Sequence, residues 1–359
     1  MKIGILALAA AICGAMPISM AAAQPAAIEA KAGKPWAHKP SGISLPAAIG
    51  PFVRAQIRDF SGTARIDIVT TYADEASGTE ATVFIYRPAM PDTGLWFAVS
   101  SYTIDVANRF GTVTALAPPV AFPITARSGD IGLRQTYSIT TLGRSTGIAM
   151  AALGPWIVKL RLTSRLLDPA QTDAAMLQIL GQLDWPSKWP VAGPAAIVPD
   201  CDKVMEAGSR AEKTTKDGAS ILMGAMLMQA GDAADNKARK EGKPPERPKL
   251  CRDPVPLRGN LLLFQITSDE PGYVIPLGDA GTLLSVRRDG MAGLLQGKDG
   301  PPSYAVNLLG PQKAMQYPSY DRLPPPEQAL EIIQRERPLS ITTVDNKKFD
   351  ITLDSASMK

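Results

Sequence analysis

The sequence predicts an α+β fold in two domains: an antiparallel sheet with two helices, then a smaller α+β domain. Three observations carry that reading. In the first, Trp156, Val158, Leu160 and Leu162 alternate with Ile157, Lys159, Arg161 and Thr163. This is the period of a strand with one face on a core and the other toward solvent or a cleft. In the second, Asp168-Pro169-Ala170-Gln171 supplies a cap, a proline at the first helical position and a glutamine three residues after the cap. Those are the marks of a helix start. Met176, Leu177, Leu180 and Leu183 follow as one apolar stripe, and Trp185-Pro186 stops the helix. Third, the stretch Trp189–Pro199 contains three prolines and one glycine, the composition of a domain boundary.

A chain of 359 residues has room for about two domains. With 45% hydrophobic and 20% charged residues it has the means to bury a sizeable core. Its first 23 residues read as a signal peptide: Lys2, an apolar run Ile3–Ile12, and Ala21-Ala22-Ala23 as the cleavage site. The run is shorter than the ~20 apolar residues of a membrane span. Ile12 stands before Cys13 where a lipoprotein signal needs a small residue, which argues against lipidation. The expected location is therefore the periplasm or the exterior. The formal charge of +4 is mild and excludes a strongly basic nucleic-acid binder. Two cysteines follow the signal, Cys201 and Cys251. An even count in an oxidising compartment predicts a disulfide, contributing on the order of 3–4 kcal/mol through the unfolded chain.

Taken in order, residues 24–42 are rich in Ala, Lys and Pro and read as a mobile linker, which holds the only histidine, His38. The first domain spans 43–190. Phe52–Phe60, Ala64–Tyr72 and Thr79–Tyr86 are rich in β-branched and aromatic residues, and Ser61-Gly62 and Ser77-Gly78 suit the turns of a meander. Leu95–Phe110 follows Asp92 as a helix carrying Trp96, Val99, Ile104, Val106 and Phe110. Thr112–Leu116, Phe122–Ala126 and Leu133–Thr141 read as strands, and Ser145–Leu153 fits either a strand or a helix. After a linker at 191–199 comes a second domain, 200–359. Its expected elements are a polar helix Met205–Lys216, an apolar Met-rich segment Ala219–Gln229, and strands Leu261–Thr267, Thr282–Arg287 and Tyr304–Leu309. A helix Pro326–Arg335, with Ala329, Leu330 and Ile333 as its stripe, and a hairpin around Asp345-Asn346 complete it.

Three runs of the first domain carry a resemblance: Thr79–Tyr86 before the Trp96 helix, the long Leu133–Thr141 strand, and Trp156–Thr163 with its capped helix. In their order, residues 43–190 resemble the Mog1/PsbP-like α/β/α sandwich family. The resemblance is one of fold, and it implies a binding or assembly factor. It carries over no functional residue.

The chemistry-bearing motifs are few. Gly143-Arg144-Ser145-Thr146-Gly147 has the letters of a nucleophile elbow, but no histidine follows it to act as base. Asp92-Thr93-Gly94 is explained by helix capping rather than as an aspartic-protease loop. Met223, Met226 and Met228 are expected to pack in a core rather than bind copper. Lys237, Arg239, Lys240, Lys243, Arg247, Lys249 and Arg252 form a basic run, expected as a solvated loop with at most weak contact to an anionic surface. The candidate partner-binding residues are Lys159, Arg161, Arg239, Lys240 and Lys243, with Lys159 and Arg161 able to line an anion pocket on an otherwise solvated sheet face. No catalytic, cofactor or metal residue is assigned. The expected function is non-catalytic binding of a protein or envelope component. The alternative is a hydrolase built on Ser145 or on paired acids such as Asp67 and Asp105.

Overall fold

The computed structural model describes residues 25–354 apart from 63, 126–127, 188–192, 207, 215–220, 227–233, 235–236, 239–240, 242, 244–246, 269, 291–301 and 346–347. It is α+β and rich in sheet. The first sheet draws on β1 (Ala26–Ala27), β4 (Ala48–Ile49), β5 (Phe52–Asp59), β6 (Asp67–Asp74) and β7 (Thr79–Tyr86). It continues with β8 (Val113–Ala115), β9 (Val120–Phe122), β10 (Gly132–Ile139), β11 (Ser145–Leu153) and β12 (Trp156–Ser164). Two antiparallel meanders, β5-β6-β7 and β10-β11-β12, join where β12 pairs with β7, so β12 runs through the sheet centre. Ser145–Leu153, ambiguous in sequence, is a strand with every residue buried.

Both faces of this sheet are covered. On one face lies α2 (Pro169–Gln182), whose start is the expected capping box between Asp168 and Gln171. Met176, Ile179 and Leu180 of the helix and its C-cap Leu183 are buried with Thr172 and Ala175, whereas Leu177 is 38% exposed and leaves its place in the expected stripe to Ile179. The helix presses closely: a Cβ on Gly147 of β11 would come within 2.9 Å of the Met176 sulfur.

The same face receives a hairpin of β2 (Trp36–His38) and β3 (Ile43–Leu45), so Trp36–His38, within the stretch 24–42 expected as a mobile linker, is packed structure paired to the first strand of the expected domain. The physical reason is that Ile43, Leu45 and His38 are fully buried despite the polar composition around them. His38 lies 5.0 Å edge-on from the Trp156 ring. Its Nε2 donates to the Arg65 carbonyl at 2.8 Å, leaving Nδ1 to accept from the Ser41 hydroxyl at 2.7 Å. Burial lowers the His38 pKa. The ring's contribution to stability is therefore complete above the ordinary histidine pKa and is lost as pH falls through the lower folded value. Denaturant melts at about pH 7 and about pH 5 are expected to show wild type losing more stability on acidification than His38→Gln. Equal losses would place the acid sensitivity elsewhere.

The other face of the first sheet holds α1 (Thr93–Asp105), capped by the Asp92 side chain at Leu95 N, and then a 3-10 turn Asn108–Phe110. Val106, expected on the buried stripe, is the C-cap and is exposed. Apolar residues surround α1 because it lies between two sheets. Tyr86, Leu133, Met150 and Ile157 of the first sheet and Phe264, Val274 and Leu283 of the second join it in one core.

The second sheet is a continuous antiparallel meander in chain order: β13 (Leu250–Arg252), β14 (Phe264–Ile266), β15 (Tyr273–Pro276), β16 (Leu283–Arg288), β17 (Tyr304–Leu309), β18 (Lys313–Tyr320), β19 (Ser340–Asp345) and β20 (Lys348–Leu353). Its outer face packs α3 (Pro326–Arg335) through Ala329 and Ile332, with Leu330 and Ile333 only partly buried. Cys201 and Cys251 form the expected disulfide. The described part of Met205–Lys216 is not helical. Its amides are taken from outside, Ala211 N by the Gln328 side chain and Glu212 N by Asp321, both at 2.8 Å. Residues 221–226 are helical, but Met223 and Met226 are about half exposed rather than core, and Met228 lies outside the described residues.

Candidate functional site

Because β12 is central, the face expected to be solvated is roofed by the second sheet. That corrects the picture of Lys159, whose side chain is 4% exposed. The roof over it is the loop Leu277–Thr282 between β15 and β16. Gly278 and Gly281 adopt positive φ of 86° and 98°, which fold the loop back sharply. The loop rests on the first sheet, with the Ala89 N–H donating to the Gly281 carbonyl at 2.9 Å. A Cβ on Gly281 would lie 2.6 Å from the Pro88 Cα, so the contact requires glycine. Between the two glycines, Asp279 accepts from Lys159 Nζ at 2.7 Å, and its own side chain is 37% exposed.

Aromatic rings complete the setting. The Lys159 ammonium lies 4.4 Å from the centre of Phe84 and 5.6 Å from that of Tyr86. Tyr86 is fully buried and its hydroxyl has no hydrogen-bond partner among the described residues. Two residues along β12, the Arg161 guanidinium lies 5.5 Å from the Phe110 ring centre, and Arg109 lies 4.7 Å from the same centre. Arg161 is half-buried and its Nε is wholly buried without a partner. Three cations therefore converge on a patch whose nearest acids are Asp279 and Asp67.

The electrostatics follow from that count. Burial lowers Lys159, and Asp279 opposes the effect. Burial also lifts Asp279, but the Lys159 charge and hydrogen bond outweigh it and hold the carboxyl below its usual range. Asp67 is pushed up to about 6, first by burial and then by the carboxylates of Asp59 and Asp279, against the pull of Lys159. Burial and the neighbouring Arg109 lower Arg161, yet a guanidinium does not shed its proton in a protein. A buried charge without a counter-group is costly, and an anion is its natural complement.

The other sequence candidates fall elsewhere. Ser145 is buried at the start of β11, bonded to the Leu167 carbonyl at 2.7 Å and to the Thr172 hydroxyl at 2.6 Å. Asp67 responds to Lys159, Asp59 and Asp279, whereas exposed Asp105 responds to Arg252, so the two acids do not form a pair. Lys243 is exposed, with its Nζ 3.6 Å from Glu241. Arg239 and Lys240 lie outside the described residues. Among the described residues no group of His, Cys, Asp and Glu could hold a metal ion, and no helix is long and apolar enough to cross a membrane. A separate cleft of about 570 Å³ opens between Gly94 of α1, Gly154, residues 193–199 and Cys251. The acid on its wall, Asp92, is already engaged as the cap of α1.

Sequence reasoning found Lys159 and Arg161 and missed Arg109, Phe110, Tyr86 and Asp279. The Gly-Asp-Ala-Gly turn was a visible signal for an acid at a loop tip. Comparison with known protein families, curated proteins and solved structures gives no match for this chain.

Proposed function

We propose that this is an exported, non-catalytic binding or assembly protein of the cell envelope, gripping an anionic group of a partner at Arg161, Arg109 and Phe110. The observation that carries this is Arg161: half-buried, charged, lying on an aromatic ring, and without hydrogen bond or ion pair among the described residues. Guanidinium groups on aromatic faces keep their edge donors free for carboxylate or phosphate. Export is supported by the signal-like first residues and by the disulfide. The partner-binding role is also what the Mog1/PsbP-like resemblance of residues 43–190 implies.

Envelope extract passed over immobilised wild-type chain and over Arg161→Met, read by mass spectrometry, tests the reading. A partner held by the first and lost from the second is expected. Equal retention on both would overturn the assignment, because the basic run 237–252 is the same in each.

A further inference from the structure

We propose that Asp279 is a built-in competitor for this site, and that the partner's anionic group is a carboxylate on an acidic peptide segment. The inference rests on the anion-binding reading above and adds the ligand's chemistry and its regulation. Asp279 belongs to the second sheet, yet its carboxylate occupies the cationic patch of the first. The loop that carries it is bent by Gly278 and Gly281 and is held by the Ala89–Gly281 backbone bond. It behaves like a short acidic peptide already bound.

The resident carboxylate is an incomplete match. It bonds Lys159 and leaves Arg161 and Arg109 without a hydrogen-bonded acid. An incoming carboxylate engages Arg161 through two parallel N–H donors, a geometry Asp279 does not adopt here. Two carboxylates drawing on the same cations repel each other, and Asp279 already draws on the charges of both Lys159 and Arg161. Binding from outside and docking of the Asp279 loop therefore oppose each other. The rim is open to such exchange, since the Asp279 side chain is more than a third exposed.

Poly-L-aspartate is the probe, titrated against wild type, Asp279→Asn and Arg161→Met, with hydrogen exchange at the Ala89 amide as a second readout. Asp279→Asn is expected to bind at least about tenfold tighter than wild type, because the competing state is removed. Arg161→Met is expected to bind weakest. In wild type, saturating polymer is expected to speed exchange at Ala89, whose acceptor Gly281 leaves with the loop. Equal affinity of wild type and Asp279→Asn, with the Ala89 amide unchanged, would overturn the competition and leave the Arg161 site standing. Arg161→Met binding as tightly as wild type would overturn the site itself. If Asp279→Asn does not fold, exchange at Ala89 in wild type decides alone.

Discussion

Asp279→Ala lowers the stability of the fold by about 3 kcal/mol, the lower end of the range for breaking a buried ion pair. The loss comes from what is left behind. Lys159 is 4% exposed, and without the Asp279 carboxylate its ammonium faces Phe84 and Tyr86 with only the residue-279 carbonyl, at 3.3 Å, to accept from it. The reverse change, Lys159→Met, is milder, about 1 kcal/mol. Asp279 already reaches water, and the methionine keeps most of the chain length packed against Phe84. Guanidinium chloride melts of the two single variants give this order directly. A larger loss for Lys159→Met would show that the lysine stem, rather than the unpaired charge, dominates.

Trp96→Ala is expected to remove about 3–5 kcal/mol, as large-to-small changes of buried aromatic residues do. Trp96 is fully buried in the layer between the sheets, edge-on to Tyr86 at 6.4 Å, with Nε1 donating to the Met90 carbonyl at 2.6 Å. Its core includes strands from both sheets, so the variant loses both together. Far-ultraviolet and near-ultraviolet circular dichroism are expected to report one earlier transition. Two separated transitions would show that the sheets do not depend on the same core.

The legible parts of the chain were those whose signals are local. Asp168, Pro169 and Gln171 announce α2 within four residues, and the capping box is present as read. The strand β12 was equally plain, yet its surroundings were not. Alternation shows which residues share a face but not what covers that face, so Lys159 looked solvated until Asp279, 120 residues away, was seen to meet it. The β2–β3 hairpin was hidden by the lysines and prolines flanking Trp36, Ile43 and Leu45. The strands β15 and β18 each include a proline, Pro276 and Pro318, and neither was read as a strand. Of the proposed site, the two cations on β12 were visible, because charge on an alternating strand is conspicuous. Arg109 and Phe110 fall at the tail of the stretch Leu95–Phe110 that reads as a helix, and nothing local ties Asp279 to a cation 120 residues away.

The join between β7 and β12 has a consequence for how the molecule assembles. Within each meander neighbouring strands are close in the chain, so their pairing needs only short closures. The β7–β12 seam links residues as far as 85 apart, from Thr79 to Ser164. Bringing such distant segments together carries the larger entropic penalty and slows folding. Two ribbons that zip quickly and a late central suture are the expected order of events, with the edges of β7 and β12 open to mispairing until the suture closes.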